Sequence, residues 1–159
     1  RRLASWTNLE VMVFGDLEMM VSEYCPIGAT LGDKRGEHCT APCVKQRYYL
    51  KDRMKYRFPL ETDRECRMHL FNSKRLNLIA ELPLLAGMGI RQVRLQLIRF
   101  QPEKVRKVTG AFRRVWEACW EKPGKRHAGM ERAIEEASAI LDGLEPEGFT
   151  KGHFFRGVL

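Results

Sequence analysis

The sequence predicts an α/β fold in which strand–helix units are interrupted by an irregular, cysteine-rich loop and a β-hairpin insertion. Three features predict it: an apolar strand near the start, a long aperiodic stretch after it, and a strand followed by amphipathic helices in the second half. The 159 residues, 44% of them hydrophobic and 30% charged, suit one globular domain. No apolar run approaches the roughly 18 residues that span a bilayer, so no membrane partner is expected.

The first half predicts short strands around the insertion. Residues 9–14 are apolar and partly β-branched, which is typical of a buried strand. Residues 16–47 show no sustained period and predict a long irregular loop. Such a loop is uncommon in a compact domain unless it is functional or held by something other than a core. Residues 48–52 and 56–60 predict a hairpin, and residues 68–72 predict a further strand.

The second half predicts helices around one strand. Ser73 suits the cap of a helix over residues 74–85, and residues 92–98 alternate as a strand does. Pro102 begins the clearest helix, and a second amphipathic helix follows it. Cys119 lies on the apolar stripe of the first helix, where we expect a small buried side chain and no ligand role.

We expect these elements to form a single fragment of a larger domain. Strands and the cysteine-rich insertion occupy residues 9–98, helices occupy residues 102–144, and an aromatic, glycine-rich tail occupies residues 145–159. The first residue is Arg1 and the first core strand follows almost at once. We therefore expect the remaining N-terminal part of the same protein to complete the fold.

The net charge of +8 is concentrated in residues 91–126, where basic side chains far outnumber acids. Such a segment attracts phosphate groups, although a solvated helix face explains the same charge. Arg94 and Arg99 are the candidate substrate-binding residues within it. His153 and Arg156 in the tail are further candidates, because aromatic and Arg groups stack on bases. A tail that closes the core is the alternative interpretation.

Four of the five cysteines predict one metal centre, namely Cys25, Cys39, Cys43 and Cys66. The odd number and the absence of a secretory signal favour a reducing cytoplasm, where clustered thiols bind metal more often than they form disulfides. Thirteen, three and twenty-two residues separate the successive members. Structural zinc usually shows two close pairs, so one close pair favours an iron–sulfur cluster over zinc. Four unrelated cysteines, or His38 or His69 as a replacement ligand, are the alternatives.

The cysteines lie within motifs that are typical of one protein family. The motifs are LEVMVFG at residues 9–15, SEYCPIG at 22–28, CTAPC at 39–43, YYLKD at 48–52, DRECR at 63–67, LFNSK at 70–74 and GHFFRG at 152–157. Together they resemble the collagenase-like peptidase family U32 over about residues 9 to 157. The cysteine spacing resembles that of the subgroup whose fourth cysteine follows the hairpin.

The resemblance implies a TIM-barrel-like (β/α) catalytic domain, of which this chain is the C-terminal portion. It also implies that the four cysteines bind a 4Fe–4S cluster. Several members are bacterial enzymes that hydroxylate transfer RNA, ribosomal RNA or a quinone precursor without oxygen. Others were named proteases with collagen as a substrate, although no catalytic protease residues are assigned for the family.

Three functions follow as expectations. The first is oxygen-independent hydroxylation by an iron–sulfur enzyme, with transfer or ribosomal RNA as the expected partner. The second is peptide hydrolysis, for which the sequence shows neither an activated nucleophile nor an open metal site. The third is a non-catalytic role in which the metal only stabilises the structure of a long loop. No catalytic residue is assigned from the sequence.

Overall fold

A computed structural model describes residues 8–32, 39–121 and 126–155. These residues divide into two compact units, and each contains its own four-stranded sheet. The insertion unit is Leu17–Ser73, and the sheet–helix unit contains the residues before and after it. Strands and helices occur together, which confirms the predicted α/β class. Within the described ranges, no helix is both long and apolar enough to cross a membrane.

In the first half of the chain, the described residues form five strands and two short helices. In chain order these are β1 (Glu10–Gly15), β2 (Glu18–Ser22), α1 (Pro26–Leu31), α2 (Pro42–Lys45), β3 (Tyr48–Lys51), β4 (Arg57–Thr62) and β5 (Met68–Phe71). In the second half, the described residues form three strands and three α-helices. They are β6 (Arg75–Asn77), α3 (Leu82–Gly87), β7 (Gln92–Gln96), α4 (Pro102–Glu121), α5 (Ala128–Leu144) and β8 (Phe149–Thr150).

The sheet of the sheet–helix unit is mixed and has the strand order β7-β1-β6-β8. Strand β1 pairs with β7 in parallel and with β6 in antiparallel orientation, and β6 pairs with β8 in parallel. A β/α barrel contains parallel strands alone, so the β1–β6 pair departs from that pattern. The described strands therefore do not confirm the predicted barrel portion.

Aromatic and aliphatic side chains fill the core of the sheet–helix unit. Phe14 of β1 is fully buried, and its ring centroid lies 5.7, 5.3 and 5.7 Å from those of Phe100, Phe112 and Phe149. Helices α4 and α5 pack against each other through the apolar stripes that the sequence predicts. Cys119 lies on the α4 stripe with 2% of its surface exposed, and burial raises the pKa of its thiol to about 11. Its predicted role as a small buried side chain is confirmed.

The insertion unit is an antiparallel sheet of order β2-β5-β4-β3, accompanied by α1 and α2. Its core is small: among the described residues of this unit, the buried hydrophobic side chains are Ile27, Leu60 and Met68. Many other apolar side chains of the unit are exposed, including Met19, Met20, Val21, Tyr24, Leu31, Val44, Tyr49, Leu50, Met54 and Tyr56. Apolar burial alone therefore gives this unit little stability.

Two local predictions are wrong. Residues 16–47 contain β2, α1 and α2, where a wholly irregular loop was expected. The predicted helix over residues 74–85 is replaced at its start by β6 and a 3₁₀ turn, and a helix begins only at Leu82. Pairing of β6 with both β1 and β8 overrides the local helical pattern. The hairpin, β5, β7 and the two long helices are confirmed.

Charged side chains form a partly buried network beside β1 and β6. The buried Asp16 accepts a hydrogen bond from Arg75 Nε at 2.9 Å, and Arg99 Nη1 lies 3.7 Å from the same carboxylate oxygen. Arg75 Nη1 also bonds to Glu145, whose carboxylate lies 3.8 Å from Lys104 Nζ. Arg75 therefore links the carboxylate of Asp16, which follows β1, to that of Glu145, which follows α5.

We expect Arg75→Met to lower the free energy of unfolding by about 2 kcal/mol, because it leaves the buried Asp16 carboxylate without its nearest donor. Urea unfolding followed by fluorescence and circular dichroism measures the change. Arg113→Met is the matched control, since it removes an exposed pair with Glu117 and we expect no measurable loss. Equal effects of the two substitutions would contradict this role for Arg75.

Candidate metal centre

The four candidate ligands lie on separate segments of the insertion unit. Cys25 is the N-cap of α1, and its Sγ accepts a hydrogen bond from the Gly28 N–H at 3.3 Å. Cys39 precedes α2, and Cys43 lies within it. Cys66 lies in the turn between β4 and β5. All four are free thiols, and Cys39 and Cys66 are exposed.

Two of the thiols meet on a glycine surface of α1, formed by Gly28 and Gly32. A Cβ atom placed on Gly28 would lie 3.3 Å from Cys39 Sγ and 3.6 Å from Cys25 Sγ. A Cβ atom on Gly32 would lie 3.1 Å from Cys39 Sγ and only 2.4 Å from the Gly28 carbonyl oxygen. Both sulfurs therefore lie within 3.6 Å of the position that a Cβ atom of residue 28 would occupy. Any residue larger than glycine at that position would fill this space.

Cys43 lies close to the same region. Helix α2 packs against α1, and Cys25 and Cys43 both contact the core formed by Ile27, Leu60 and Met68. Ala41, just before α2, adopts a left-handed conformation with φ 49°, which costs a residue with a side chain about 1 kcal/mol. That conformation directs the chain from Cys39 into the helix that carries Cys43.

Cys66 lies on a turn that is organised by Asp63. The Asp63 carboxylate accepts hydrogen bonds from the backbone N–H groups of Glu65 at 3.0 Å and Arg67 at 2.9 Å. The Cys66 N–H donates to the Asp63 carbonyl oxygen at 3.2 Å, and Cys66 itself has a left-handed φ of 61°. These bonds fix the backbone of the turn and leave the Cys66 thiol at the surface.

Charged groups around Asp63 stabilise its ionised form. Although burial acts in the opposite direction, hydrogen bonds from Arg67 and His69 lower the pKa of Asp63 to about 2. His69 bridges two carboxylates, with Nδ1 2.8 Å from Glu18 and Nε2 3.4 Å from Asp63. The hydrogen bond to Glu18 raises the pKa of His69, whereas burial lowers it. The hydrogen bond to Asp63 raises this pKa further. His69 thus links β2 to the turn that carries Cys66.

We expect an NMR titration to give His69 a pKa above its usual value and to give it a lower one in Glu18→Gln, which removes the stronger partner. Because the folded-state pKa is raised, the pairing stabilises the protein fully below the unfolded pKa near 6.5. That stabilisation is lost as pH rises through the folded-state pKa. Glu117→Gln, which removes a carboxylate from α4, serves as the control and should leave the His69 titration unchanged. An unshifted His69 in the parent protein would contradict the bridge.

The structure does not gather all four cysteines into one site. Among the residues it describes, no group of three or more His, Cys, Asp or Glu side chains is placed to hold a metal ion. Cys25 and Cys39 come together, Cys43 contacts the same core as Cys25, and Cys66 lies on its exposed turn. Of the two alternative ligands, His38 lies outside the described residues and His69 bonds to Glu18 and Asp63. The four-cysteine centre stays a prediction.

The candidate substrate-binding residues lie in the sheet–helix unit. Exposed Arg94 lies 3.4 Å from Glu10, whereas the Arg99 side chain is only 15% exposed and contacts Asp16. His153 is exposed in the turn after β8, and Arg156 lies outside the described residues. The described contacts join the two arginines to different carboxylates and join neither to His153.

The sequence analysis missed the glycine surface and the turn organised by Asp63. Gly28 and Gly32 are one helical turn apart directly after Cys25, which was a signal for close approach of another group. Asp63 followed by Arg67 was a weaker signal, because an Asp at the start of a turn commonly bonds to the backbone after it. The glycine pattern does not predict which residue packs against it, because Cys39 comes from another segment of the chain.

We expect Gly32→Ala to lower the free energy of unfolding by about 1–3 kcal/mol, because the added methyl group overlaps the Gly28 carbonyl and crowds Cys39 Sγ. Gly143→Ala is the matched control in α5, where a Cβ atom meets nothing within 4 Å. Loss of glycine flexibility there should raise the free energy of unfolding by about 0.5–1 kcal/mol. Denaturant unfolding measures the free energy of unfolding of both variants. An unchanged value for Gly32→Ala would show that this surface is not closely packed.

The fold and the site define an α/β protein that carries a small antiparallel unit with four free cysteines. Residues 2–158, nearly the whole chain, match the family model of Peptidase family U32. The chain therefore belongs to that family, and the resemblance of its motifs is confirmed. No curated protein and no solved structure matches it.

Proposed function

We propose that this protein is an iron–sulfur enzyme that hydroxylates RNA without oxygen, and that its four insertion-unit cysteines bind one 4Fe–4S cluster. The observation that carries the metal centre is the glycine surface of α1, beside which the Cys25 and Cys39 sulfurs both lie. Four thiolates are the usual ligand set of such a cluster. The residues present fit the group by their chemistry, and oxygen-independent hydroxylation is one of the reactions that the family resemblance implies.

The small core of the insertion unit supports a bound metal. Units of this size rarely obtain sufficient stability from apolar burial and are commonly held by disulfides or metals. The cysteines here are free, and they lie on α1, before and within α2, and on the β4–β5 turn. One centre bound by all four would connect these segments and stabilise the unit as a whole.

A hydrogen-bond donor and several cations lie close to the thiols in space or in sequence. The Gly28 N–H already donates to Cys25 Sγ, and a hydrogen bond of this kind stabilises a thiolate ligand. Lys45, Arg64 and Arg67 lie within two residues of Cys43 or Cys66 and offset negative charge. When bound, the cluster supplies electron transfer. The exposed positions of Cys39 and Cys66 place part of the ligand set at the surface, where a macromolecular substrate has access.

The sheet–helix unit fits a supporting role in a larger barrel. Strands β1 and β7 are parallel neighbours, and α3 lies between them in the sequence. A strand–helix–strand unit with parallel strands is the repeating element of a β/α barrel. We propose that this pair belongs to the barrel portion that the family resemblance implies.

Anaerobic purification with iron and sulfide analysis tests the cluster. We expect each Cys→Ser substitution at positions 25, 39, 43 and 66 to lower the iron and sulfide content several-fold and to weaken the visible absorption. Cys119→Ala is the matched control, because that thiol is buried in the other unit and should not affect the iron content. A colourless, zinc-loaded protein would contradict the cluster, and unchanged iron in Cys66→Ser would remove that residue from the site.

Two activity measurements separate the proposed reaction from peptide hydrolysis, which the family name describes. Hydroxylated nucleosides should disappear from the RNA of a strain that lacks the gene and should return with the parent protein but not with Cys25→Ser. An unchanged RNA modification profile would count against the hydroxylase. Cleavage of collagen that persists after removal of the iron would favour the peptidase.

A further inference from the structure

We propose that the β3–β4 hairpin is a docking surface for single-stranded or looped RNA. Cationic side chains of the hairpin would bind phosphates, and its exposed tyrosines would stack on bases. This inference rests on the proposed function in its choice of RNA as substrate, but residues 47–57 contain none of the proposed metal ligands, so RNA binding is measured independently of the reaction. The residues concerned are Arg47, Tyr49, Lys51, Arg53, Lys55, Tyr56 and Arg57.

The hairpin carries a high positive charge that is available to bind an anionic partner. Residues 47–57 contain five basic side chains and one acidic side chain, Asp52. All residues from Tyr49 to Arg57 are exposed. The Asp52 carboxylate is used within the turn, where it accepts the Tyr56 N–H at 2.9 Å. Within the described ranges, the ion pairs involve cations other than these five. Their charge can therefore serve a polyanion.

The hairpin presents cations and aromatic rings on one face. Tyr48 pairs with Leu60 and contacts the small core, so alternation along the strands places Tyr49, Lys51 and Arg57 on the opposite face. The Arg57 guanidinium lies over the Tyr49 ring, 4.9 Å from its centroid. Interleaved cations and aromatic rings are typical of surfaces that bind single-stranded nucleic acid.

The turn is organised before any ligand binds. The Asp52 N–H donates to the Tyr56 carbonyl oxygen at 3.1 Å, and the Lys55 N–H donates to the Asp52 carbonyl oxygen at 3.1 Å. Lys55 adopts a left-handed φ of 69°, which defines the path of the backbone between Arg53 and Arg57. A preformed turn loses little conformational entropy on binding.

The composition of the tip favours RNA over a membrane. Between Asp52 and Tyr56 the tip carries Arg53 and Lys55 with a single large apolar side chain, Met54, which is 74% exposed. A segment that inserts into a bilayer surface presents a continuous apolar face with Trp, Phe or Leu. One methionine between cations provides no such face, whereas tyrosines beside arginines suit bases beside phosphates.

Binding of a labelled, mixed-sequence single-stranded RNA to the anaerobically purified full chain, measured by fluorescence anisotropy at several salt concentrations, tests the surface. The hairpin variant combines Lys51→Gln, Arg53→Gln, Lys55→Gln and Arg57→Gln. We expect its affinity to fall at least about tenfold near physiological salt. The slope of log K against log salt should become shallower by about 3, since each lost phosphate contact removes about 0.7.

A matched variant of α4 separates a local effect from the loss of net charge. It combines Arg106→Gln, Lys107→Gln, Arg113→Gln and Arg114→Gln, which are exposed and remove the same number of charges. We expect this variant to bind RNA much more tightly than the hairpin variant. An equal or larger loss in the α4 variant would overturn the proposal, as would a hairpin variant that binds RNA like the parent protein.

The aromatic contribution has its own test. Tyr49→Leu should weaken RNA binding about tenfold with little change in the salt slope, because a stacked base is lost and no charge is removed. Tyr49→Phe should retain binding, since the ring is kept. Equal binding by all three proteins would overturn the stacking role.

Two further measurements distinguish this proposal from its alternatives. Binding to vesicles of phosphatidylserine and phosphatidylcholine without binding to RNA would identify a membrane surface and overturn it. The second measurement is the iron content of the parent protein, determined on the same sample as its RNA binding. RNA binding that survives in a protein without a cluster would thus support the docking surface while contradicting the proposed enzyme, so the two can fail separately.

Discussion

The antiparallel pairing of β1 with β6 is the constraint on which both units depend. The chain leaves the sheet–helix unit after Asp16 and re-enters it at Lys74, and the register Gly15–Leu76 brings these two points together. Gly15 is required there, because a Cβ atom on it would lie 2.3 Å from the Gln96 carbonyl oxygen. The Arg75–Asp16 pair follows directly beyond this register. The insertion is therefore a closed loop whose ends are fixed by the sheet–helix unit.

The two units are stabilised by different interactions. In the sheet–helix unit, the stripes of α4 and α5 and the ring of Phe14 remove a large apolar surface from water. The insertion unit buries little and relies on hydrogen-bonded turns such as those of Asp52 and Asp63. Turns of this kind fix local geometry but contribute little net free energy. A centre bound by thiols from several segments would supply the missing long-range constraint.

The sequence predicted what depends on local periodicity. The stripes of α4 and α5, the alternation of residues 92–98 and the hairpin predicted for residues 48–60 are local patterns, and the structure confirms the elements that they predict. Strand β6 has three residues and no pattern of its own, because it forms through pairing with β1 and β8. The site shows the same division. Cysteine spacing selected four candidate ligands, whereas the meeting of two of them on the glycine surface depends on a contact between distant segments.

Counting basic residues along the sequence does not identify the best binding surface for a polyanion, because folding pairs some of them with carboxylates. Residues 91–126 contain the largest excess of basic side chains, yet many of the described ones are engaged within the sheet–helix unit. Those with a carboxylate partner are Arg94, Arg99, Lys104, Arg113 and Arg126. The cations of the β3–β4 hairpin are fewer, but no described carboxylate neutralises them, and they stand beside exposed rings. Affinity for a polyanion depends on charge that is still unpaired after folding, so the shorter segment is the stronger candidate.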